Sequence, residues 1–121
     1  MRIARTSAAA SEPMIGTFAG TVRRRDLGPI EALDGLAIAV SFEAGARTYW
    51  HRHSGGQVLY VVTGDGRVGT RDGTVADIGA GDLVEVPPDE EHWHGAAVHG
   101  PMTHLSLSFG EPTWLEPVSE D

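Results

Sequence analysis

Apolar and polar residues alternate in short runs along this chain, and turns containing glycine or proline separate the runs. The run Leu36–Glu43 places Ile38, Val40 and Phe42 on one face, because successive side chains of an extended strand point to opposite sides. Residues 102–109 alternate in the same way. Helical periodicity is weak throughout the sequence. Eight or nine short strands at close spacing predict an all-β sandwich or barrel.

Turn signals place the predicted boundaries between these strands. We expect a strand over residues 17–22 that ends at the basic run Arg23–Arg25, followed by a turn at Gly28-Pro29. A second turn at Asp65-Gly66 would end one strand and begin another over residues 67–71. The pattern therefore predicts many short strands and few long ones.

Length and cysteine content limit the domain organisation. The chain has 121 residues, enough for one hydrophobic core. We predict a loose N-terminal arm over residues 1–13 and one domain over residues 14–121. The chain has no cysteine, which excludes disulfides, thiolate metal sites and a cysteine nucleophile. This composition fits a reducing compartment, and we expect a cytoplasmic protein.

Charge and hydropathy limit the class of partner. The formal net charge is −8 at pH 7, and an acidic surface repels both nucleic acids and anionic membranes. No apolar stretch of the sequence approaches the roughly 20 residues that a membrane-spanning helix needs. We therefore expect neither nucleic acid nor membrane as a partner, and a small molecule as the substrate or ligand.

Histidines in two separate stretches predict a metal site. His51 and His53 are two residues apart, so both imidazoles leave the same face of an extended strand. Gln57 opens the next apolar run and can bring an amide oxygen back to the same point. A second stretch contains His92 and would supply a further ligand from another strand. Imidazole nitrogens and amide oxygens bind divalent ions, so the predicted site holds three histidines and a glutamine.

Two further histidines, His94 and His104, are candidates for proton transfer. Each shares a strand face with a predicted ligand or with the predicted pocket, and a free imidazole can act as a base near neutral pH. The alternative role is a structural one, in which these histidines hydrogen-bond to the ligands. For His99, beside a Gly-Pro turn, the structural interpretation is preferred.

The predicted ligand set determines what the ion can do. Three neutral imidazoles and a neutral amide leave the charge of a divalent ion uncompensated, so the ion would be a strong Lewis acid that favours anions in its open positions. Manganese or iron suits such nitrogen and oxygen ligands, whereas zinc or nickel would bind at least as tightly by intrinsic affinity. The residues alone leave the identity of the metal open.

The spacing of these residues resembles the two cupin motifs. Gly45, His51, His53, Gln57 and Gly64 stand at the spacing of the first motif, with glutamine where most cupins have glutamate. The second motif is similar to the segment that runs from Gly81 through Pro87 to His92. The resemblance covers the chain from about residue 35 to residue 109, and it implies a single-domain cupin β-barrel, a double-stranded jelly roll.

A narrower resemblance connects the chain to the small bacterial manganese cupins that include hydroxynitrile lyases. The segments that carry it are Phe18–Arg23, Phe42–Thr48, His92–Ala97 and Met102–Leu105, together with Gln57. In this family the matching positions imply metal ligands at His51, His53, Gln57 and His92, with His94 and His104 near the open coordination positions. The family also implies manganese as the first choice of metal and a homo-oligomer, for which we expect a homodimer covered at its apolar termini around Ile3 and Trp114.

The resemblance implies a metal-dependent lyase that cleaves or forms a carbon–carbon bond of a small hydroxylated or carbonyl compound. Two other functions remain open. One is a metal-dependent dioxygenase or other oxidoreductase that uses the same site, and the other is a non-catalytic module that binds a metal or a small ligand. Oxygen uptake with iron would distinguish the first alternative, and tight metal binding without turnover would distinguish the second.

Overall fold

The computed structural model describes residues 1–119, and nearly all regular structure in it is β-strand, which confirms the predicted all-β class. The strands are β1 (Ser11–Pro13), β2 (Phe18–Ala19), β3 (Val22–Ile30), β4 (Gly35–Phe42), β5 (Arg47–Thr48), β6 (His51–His53), β7 (Gln57–Thr70), β8 (Val75–Gly79), β9 (Leu83–Val86), β10 (His92–Ala96), β11 (Met102–Phe109) and β12 (Pro112–Trp114). One 3₁₀ turn, Glu31–Leu33, joins β3 to β4. Residues 120 and 121 of the predicted domain lie outside the described residues, and the boundary between arm and domain stays a prediction.

The strands form one curled antiparallel sheet in the order β1-β3-β4-β11-β7-β10-β5-β2. The long strand β7 belongs to both walls of the barrel. Its first half pairs with β11 and β9, and its second half pairs with β10 and β8. Strand β6 pairs with β10 on one side and with β12 on the other. Among the residues described, none forms a helix long and apolar enough to cross a bilayer.

The hydrophobic core fills one end of the space between the two walls. Its buried members come from β3, β4, β7, β10 and β11 and from the segment before β5: Val22, Val40, Phe42, Ala46, Val61, Ala96 and Met102. Val40 and Phe42 lie on the predicted inner face of β4 and are 3% and 1% exposed. The predicted alternation of this strand is therefore confirmed, and it leaves the other end of the barrel for polar side chains.

The basic run Arg23–Arg25 does not end a strand, as predicted, but lies inside β3. In an extended strand only the middle arginine, Arg24, lies on the cavity side, and it pairs with Asp26. Both side chains stay accessible to solvent, 28% and 57% exposed, so the run buries little charge. The predicted turn at Gly28-Pro29 is also wrong, because β3 continues through both residues to Ile30 and has only a bulge between Asp26 and Gly28. Strand β1 pairs only with residues 23–25, so Pro29 faces an open edge where its missing N–H breaks no ladder.

The predicted turn at Asp65-Gly66 is also wrong, because β7 continues through it to Thr70. Both residues of the predicted turn are paired with neighbouring strands, Asp65 with Gly79 on β8 and Gly66 with Ala96 on β10. Hydrogen bonds to the neighbouring strands β8 and β10 outweigh the local preference for a turn. The bend that carries β7 from one wall to the other begins at Gly64, whose φ of 81° lies in the left-handed region.

Gly64→Ala is expected to destabilise the protein by about 3 kcal/mol, because an alanine there adds left-handed backbone strain and overpacking. Its Cβ would lie 2.0 Å from the Pro101 carbonyl oxygen. Gly73→Ala is the matched control, since Gly73 also has a positive φ, 90°, but its Cβ would meet nothing within 4 Å. Gly73→Ala should lower the free energy of unfolding by about 1 kcal/mol. Urea unfolding of metal-free proteins measures both, and equal losses would refute the steric account.

Candidate metal centre

Strand β6 presents two histidines to the inside of the barrel. His51 and His53 are buried, whereas Arg52 between them is half-buried and points outward to Asp89 and Glu91. This is the alternation that the one-residue spacing predicts. In the neighbouring strand β10, His92 stands directly opposite His51 in the antiparallel register. The pairing of β6 with β10 therefore brings the two histidine-rich stretches of the sequence together.

The ring nitrogens of His51, His53 and His92 form a compact cluster. One nitrogen from each ring lies within 4.8 Å of the other two, which is the separation expected of ligands that share one ion. Gln57, at the start of β7, is also buried, and its Oε1 lies 2.8 Å from His92 Nε2. The structure thus brings together all four residues that the sequence predicts as ligands.

Hydrogen bonds outside the cluster determine which atoms point into it. The Nδ1 atoms of His51 and His92 each lie 2.9 Å from a backbone carbonyl oxygen, of Tyr49 and Glu90 respectively. Since a carbonyl only accepts, each Nδ1 carries the proton, and each Nε2 presents a lone pair to the cluster. This arrangement is typical of histidine ligands, which are oriented by a hydrogen bond from the second nitrogen.

Two serines fix the orientation of the Gln57 amide. Its Nε2 donates to Ser106 Oγ at 3.0 Å and to Ser108 Oγ at 2.9 Å, so the amide oxygen faces His92. Two acceptors, Gln57 Oε1 and His92 Nε2, therefore lie 2.8 Å apart. Two lone pairs at this distance repel each other unless a cation shares them, so the donor set fits a divalent ion.

Burial keeps these imidazoles neutral. Desolvation, followed by repulsion from a charged His92, lowers the pKa of His51 to about 3 and that of His53 to about 4. Desolvation also lowers the pKa of His92. Both ring nitrogens of His53 are buried without a hydrogen-bond partner among the residues described. A metal ligand must be neutral and have a nitrogen lone pair available. The buried ring nitrogens of His53, which have no other partner, therefore provide an independent sign that the site fits a cation.

His94 and His104 form a second pair beside the cluster. His94 lies two residues after His92 on β10, and its ring centroid is 5.0 Å from that of His51. Its Nδ1 is 3.2 Å from Nε2 of His104, which projects from β11. Burial lowers the pKa of His104 to about 4 and lowers that of His94 well below its ordinary value. Among the described residues, His94 Nε2 and His104 Nδ1 have no hydrogen-bond partner.

A cavity of about 260 Å³ opens over the cluster. Its floor includes His51, His53, Gln57 and His94, whereas His104 is fully buried behind His94 and does not line it. The walls are largely apolar: Met14, Phe18, Leu36, Ile38, Val40 and Trp114. Such a cavity admits a small molecule and excludes a polymer. His94 is thus the proton-transfer candidate that faces the cavity directly.

Sequence reasoning missed the residues that support this site from distant strands. Ser106 and Ser108 were visible as the polar face of β11, but their contact with Gln57 depends on the register between β11 and β7. Strand β12 pairs with β6 and places the Trp114 ring centroid 4.5 Å from that of His51, a contact that no pattern in the sequence indicated. His99 stays exposed and lies beside Asp65.

Comparison with known proteins gives consistent matches. The model of the cupin domain family matches residues 39–108. An (R)-mandelonitrile lyase from Granulicella tundricola is 42% identical over an alignment of 111 residues that covers 86% of this chain and 83% of that protein.

Two solved structures show the same architecture. A cupin-like protein from Thermotoga maritima superposes with a TM-score of 0.83 and 34% identity, covering 99% of this chain and 92% of that one. An RmlC-like cupin from Shewanella frigidimarina has a TM-score of 0.70 and 27% identity, covering 100% and 95%. These matches confirm the predicted cupin barrel and the resemblance from which it was inferred. The family model covers more than half of the chain and the lyase is a clear relative, so this protein belongs to the cupin family.

Proposed function

We propose that this protein is a metal-dependent lyase that cleaves small hydroxynitriles, or forms them from an aldehyde and cyanide. The observation that carries the proposal is that His51 and His53 of the three-histidine cluster line the same cavity as His94. A relative that is 42% identical is named (R)-mandelonitrile lyase, which supports this choice of chemistry.

His51, His53, Gln57 and His92 are the residues that would hold the ion, because their lone pairs already converge. A divalent ion supplies Lewis-acid polarisation of a substrate oxygen when it is bound there. We propose manganese, with iron, zinc and nickel as alternatives that the same nitrogen and oxygen ligands accept. Among the described residues the cluster contains no carboxylate, so the positive charge of the ion stays available to the substrate.

His94 would move the proton. In the cleavage direction the hydroxyl proton passes to His94 Nε2, the bond between the carbinol carbon and the nitrile carbon breaks, and the departing cyanide takes up the proton. One hydroxynitrile thus gives one aldehyde and one hydrogen cyanide. His104, 3.2 Å from Nδ1 of His94, can accept the Nδ1 proton while Nε2 is protonated. It therefore acts on the substrate through His94.

The apolar walls of the cavity would contact the hydrocarbon part of the substrate. Phe18 and Trp114 pack against each other on one side of the cavity with tilted rings and centroids 5.6 Å apart, and Trp114 also contacts His51. An apolar wall excludes water, which strengthens the electrostatic contacts around the reacting atoms. We therefore propose a small aldehyde or hydroxynitrile with an apolar group as the substrate.

The direct test is mandelonitrile cleavage by untagged protein that has been stripped with a chelator and reloaded with manganese. We expect release of benzaldehyde, followed by its absorbance, to require the metal and to exceed the rates of buffer and stripped protein. Oxygen consumption by the iron-loaded protein, without cleavage of any hydroxynitrile, would replace the proposal with the oxidative alternative. A tightly held metal with neither activity would favour the binding module.

A further inference from the structure

One wall of the cavity comes from residues 112–116, which we call the β12 segment. Pro112 and Trp114 both line the cavity. The Trp114 ring centroid lies 4.5 Å from that of His51 and 5.6 Å from that of Phe18. The position of the β12 segment therefore sets the width of the cavity on this side.

Backbone pairing alone holds the β12 segment weakly. Strand β12 has three residues, and in the described part of the chain it pairs with β6 only. Two further hydrogen bonds join the segment to Trp50. The Leu115 N–H donates to the Trp50 carbonyl at 2.8 Å, and the Trp50 N–H donates to the Glu116 carbonyl at 3.0 Å. A short edge strand of this kind opens more readily than the core of a sheet, so side-chain contacts must keep it in one position.

Arg71, which directly follows β7, supplies such contacts. Its Nη1 and Nη2 donate to the two carboxylate oxygens of Glu116 at 3.0 and 2.8 Å, and a bidentate pair fixes the relative orientation of both groups. Its Nε donates to Glu91 at 2.8 Å. The guanidinium also lies over the Trp50 ring, 4.0 Å from the centroid, which adds a cation–π contact.

Each partner of Arg71 lies close in sequence to a residue of the site. Trp50 precedes His51, Glu91 precedes His92, and Glu116 follows Trp114 by two residues. An isolated surface ion pair contributes little, whereas a bidentate pair within a network contributes more. Arg71 thus fixes the β12 segment relative to the two strands that carry histidine ligands.

We propose that Arg71 and Glu116 are positioning residues that act on the substrate through Trp114, and that the Trp114 wall sets the size of the hydrocarbon group that the cavity admits. The inference rests on the proposed function for the identity of the substrate, but not for the fixing of the wall. When the wall is fixed, the indole presents a rigid apolar surface to a small substrate. When it is released, the small substrate loses this contact and a larger group gains room.

Amide hydrogen exchange of the zinc-loaded full chain, measured by NMR, tests the fixing of the wall, because zinc is a d¹⁰ ion without unpaired electrons. Glu116→Gln should speed exchange of the Leu115 amide by about fivefold, the upper range for one exposed ion pair. Arg71→Ala should speed it by about tenfold, since the contact with Trp50 is lost as well.

Arg52→Ala is the charge-matched control for Arg71→Ala. Arg52 pairs with Asp89 and Glu91 on the same surface, but within the described residues it forms no ion pair with Glu116. Its Leu115 amide should exchange at the native rate. Arg71→Lys keeps the charge without the bidentate geometry, so its exchange rate should lie between those of the native protein and Arg71→Ala.

Ligand size tests the role of Trp114. Benzyl alcohol and 2-naphthalenemethanol are suitable probes, because each carries a hydroxyl group on an aromatic hydrocarbon of different size. Trp114→Ala should shift the ratio of their dissociation constants toward the larger alcohol by at least about tenfold, as expected for a changed pocket contact. Trp114→Phe keeps an aromatic ring and should shift the ratio less. Ligand-observed NMR titration of zinc-loaded protein measures both constants.

The positioning variants should change the same ratio in the same direction. We expect a shift of about threefold for Arg71→Ala and Glu116→Gln, smaller than for loss of the Trp114 contact itself, and none for Arg52→Ala. In mandelonitrile cleavage by the manganese-loaded protein, the two positioning variants should raise KM more than they lower kcat, because His94 is unchanged. Circular dichroism and metal content verify that each variant is folded and loaded.

These measurements separate the inference from the proposed function. A native protein that cleaves no hydroxynitrile would refute the proposed function, whereas amide exchange and alcohol binding would still decide the role of Arg71 and Glu116. Native exchange rates in both Arg71→Ala and Glu116→Gln would overturn the inference, as would equally fast exchange in Arg52→Ala. An unchanged alcohol preference in Trp114→Ala, or a native protein that binds neither alcohol, would also overturn it.

Discussion

His53→Ala is expected to lose the metal while the barrel stays folded. His53 has two buried ring nitrogens without a hydrogen-bond partner in the described part of the chain, so the substitution breaks no hydrogen bond of its imidazole. Loss of a residue that merely orients a ligand lowers metal affinity by about 10- to 100-fold. Loss of the ligand itself should therefore lower metal affinity by at least about 100-fold. Elemental analysis after gel filtration measures the bound metal per chain.

Arg52→Ala is the matched control for this prediction, because Arg52 lies on the same strand but points outward to Asp89 and Glu91. It should keep the full metal content. Chelation should lower the unfolding midpoint of the native protein and of Arg52→Ala, since a ligand that binds only the folded state stabilises it. The midpoint of His53→Ala should not respond to a chelator. Full metal content in His53→Ala, or equal loss in Arg52→Ala, would contradict the ligand assignment.

His94→Ala is expected to keep the metal and to lose about 10²- to 10⁴-fold in turnover of hydroxynitrile, the usual contribution of a general acid or base. His94 lines the cavity and lies outside the three-histidine cluster. Its loss should therefore remove proton transfer and leave ion binding intact. Turnover of mandelonitrile and metal content, measured on the same preparation, separate these two effects.

Two further variants sharpen this test. His94→Gln fills most of the vacated space and cannot transfer a proton, so it should lose as much turnover as His94→Ala. His99→Ala should behave like the native protein, because His99 is exposed, lies beside Asp65 and does not line the cavity. If His94→Gln retains native turnover, His94 contributes packing and no proton transfer. Loss of metal from both His94 variants would instead make His94 part of the ion-binding set.

Hydrophobic alternation predicted the strands whose two faces differ in burial. In β4 the inner residues Val40 and Phe42 are buried and the outer residue Ser41 is exposed, and periodicity of two is sufficient to specify such a strand. Local turn signals were less reliable. Asp65-Gly66 remains extended because strands pair with it on both sides, and a propensity of a few tenths of a kcal/mol yields to those hydrogen bonds.

The sequence by itself determined that His51 and His53 share a face, because the period of a strand is two, and the motif spacing indicated Gln57 and His92 as their companions. Only the tertiary structure placed His92 opposite His51, since register is set by the pairing of β6 with β10. It likewise decided that Ser106 turns the Gln57 oxygen toward the cluster. These contacts join residues about 40 to 50 positions apart, and one-dimensional periodicity fixes which face a side chain occupies but not which distant side chain it meets.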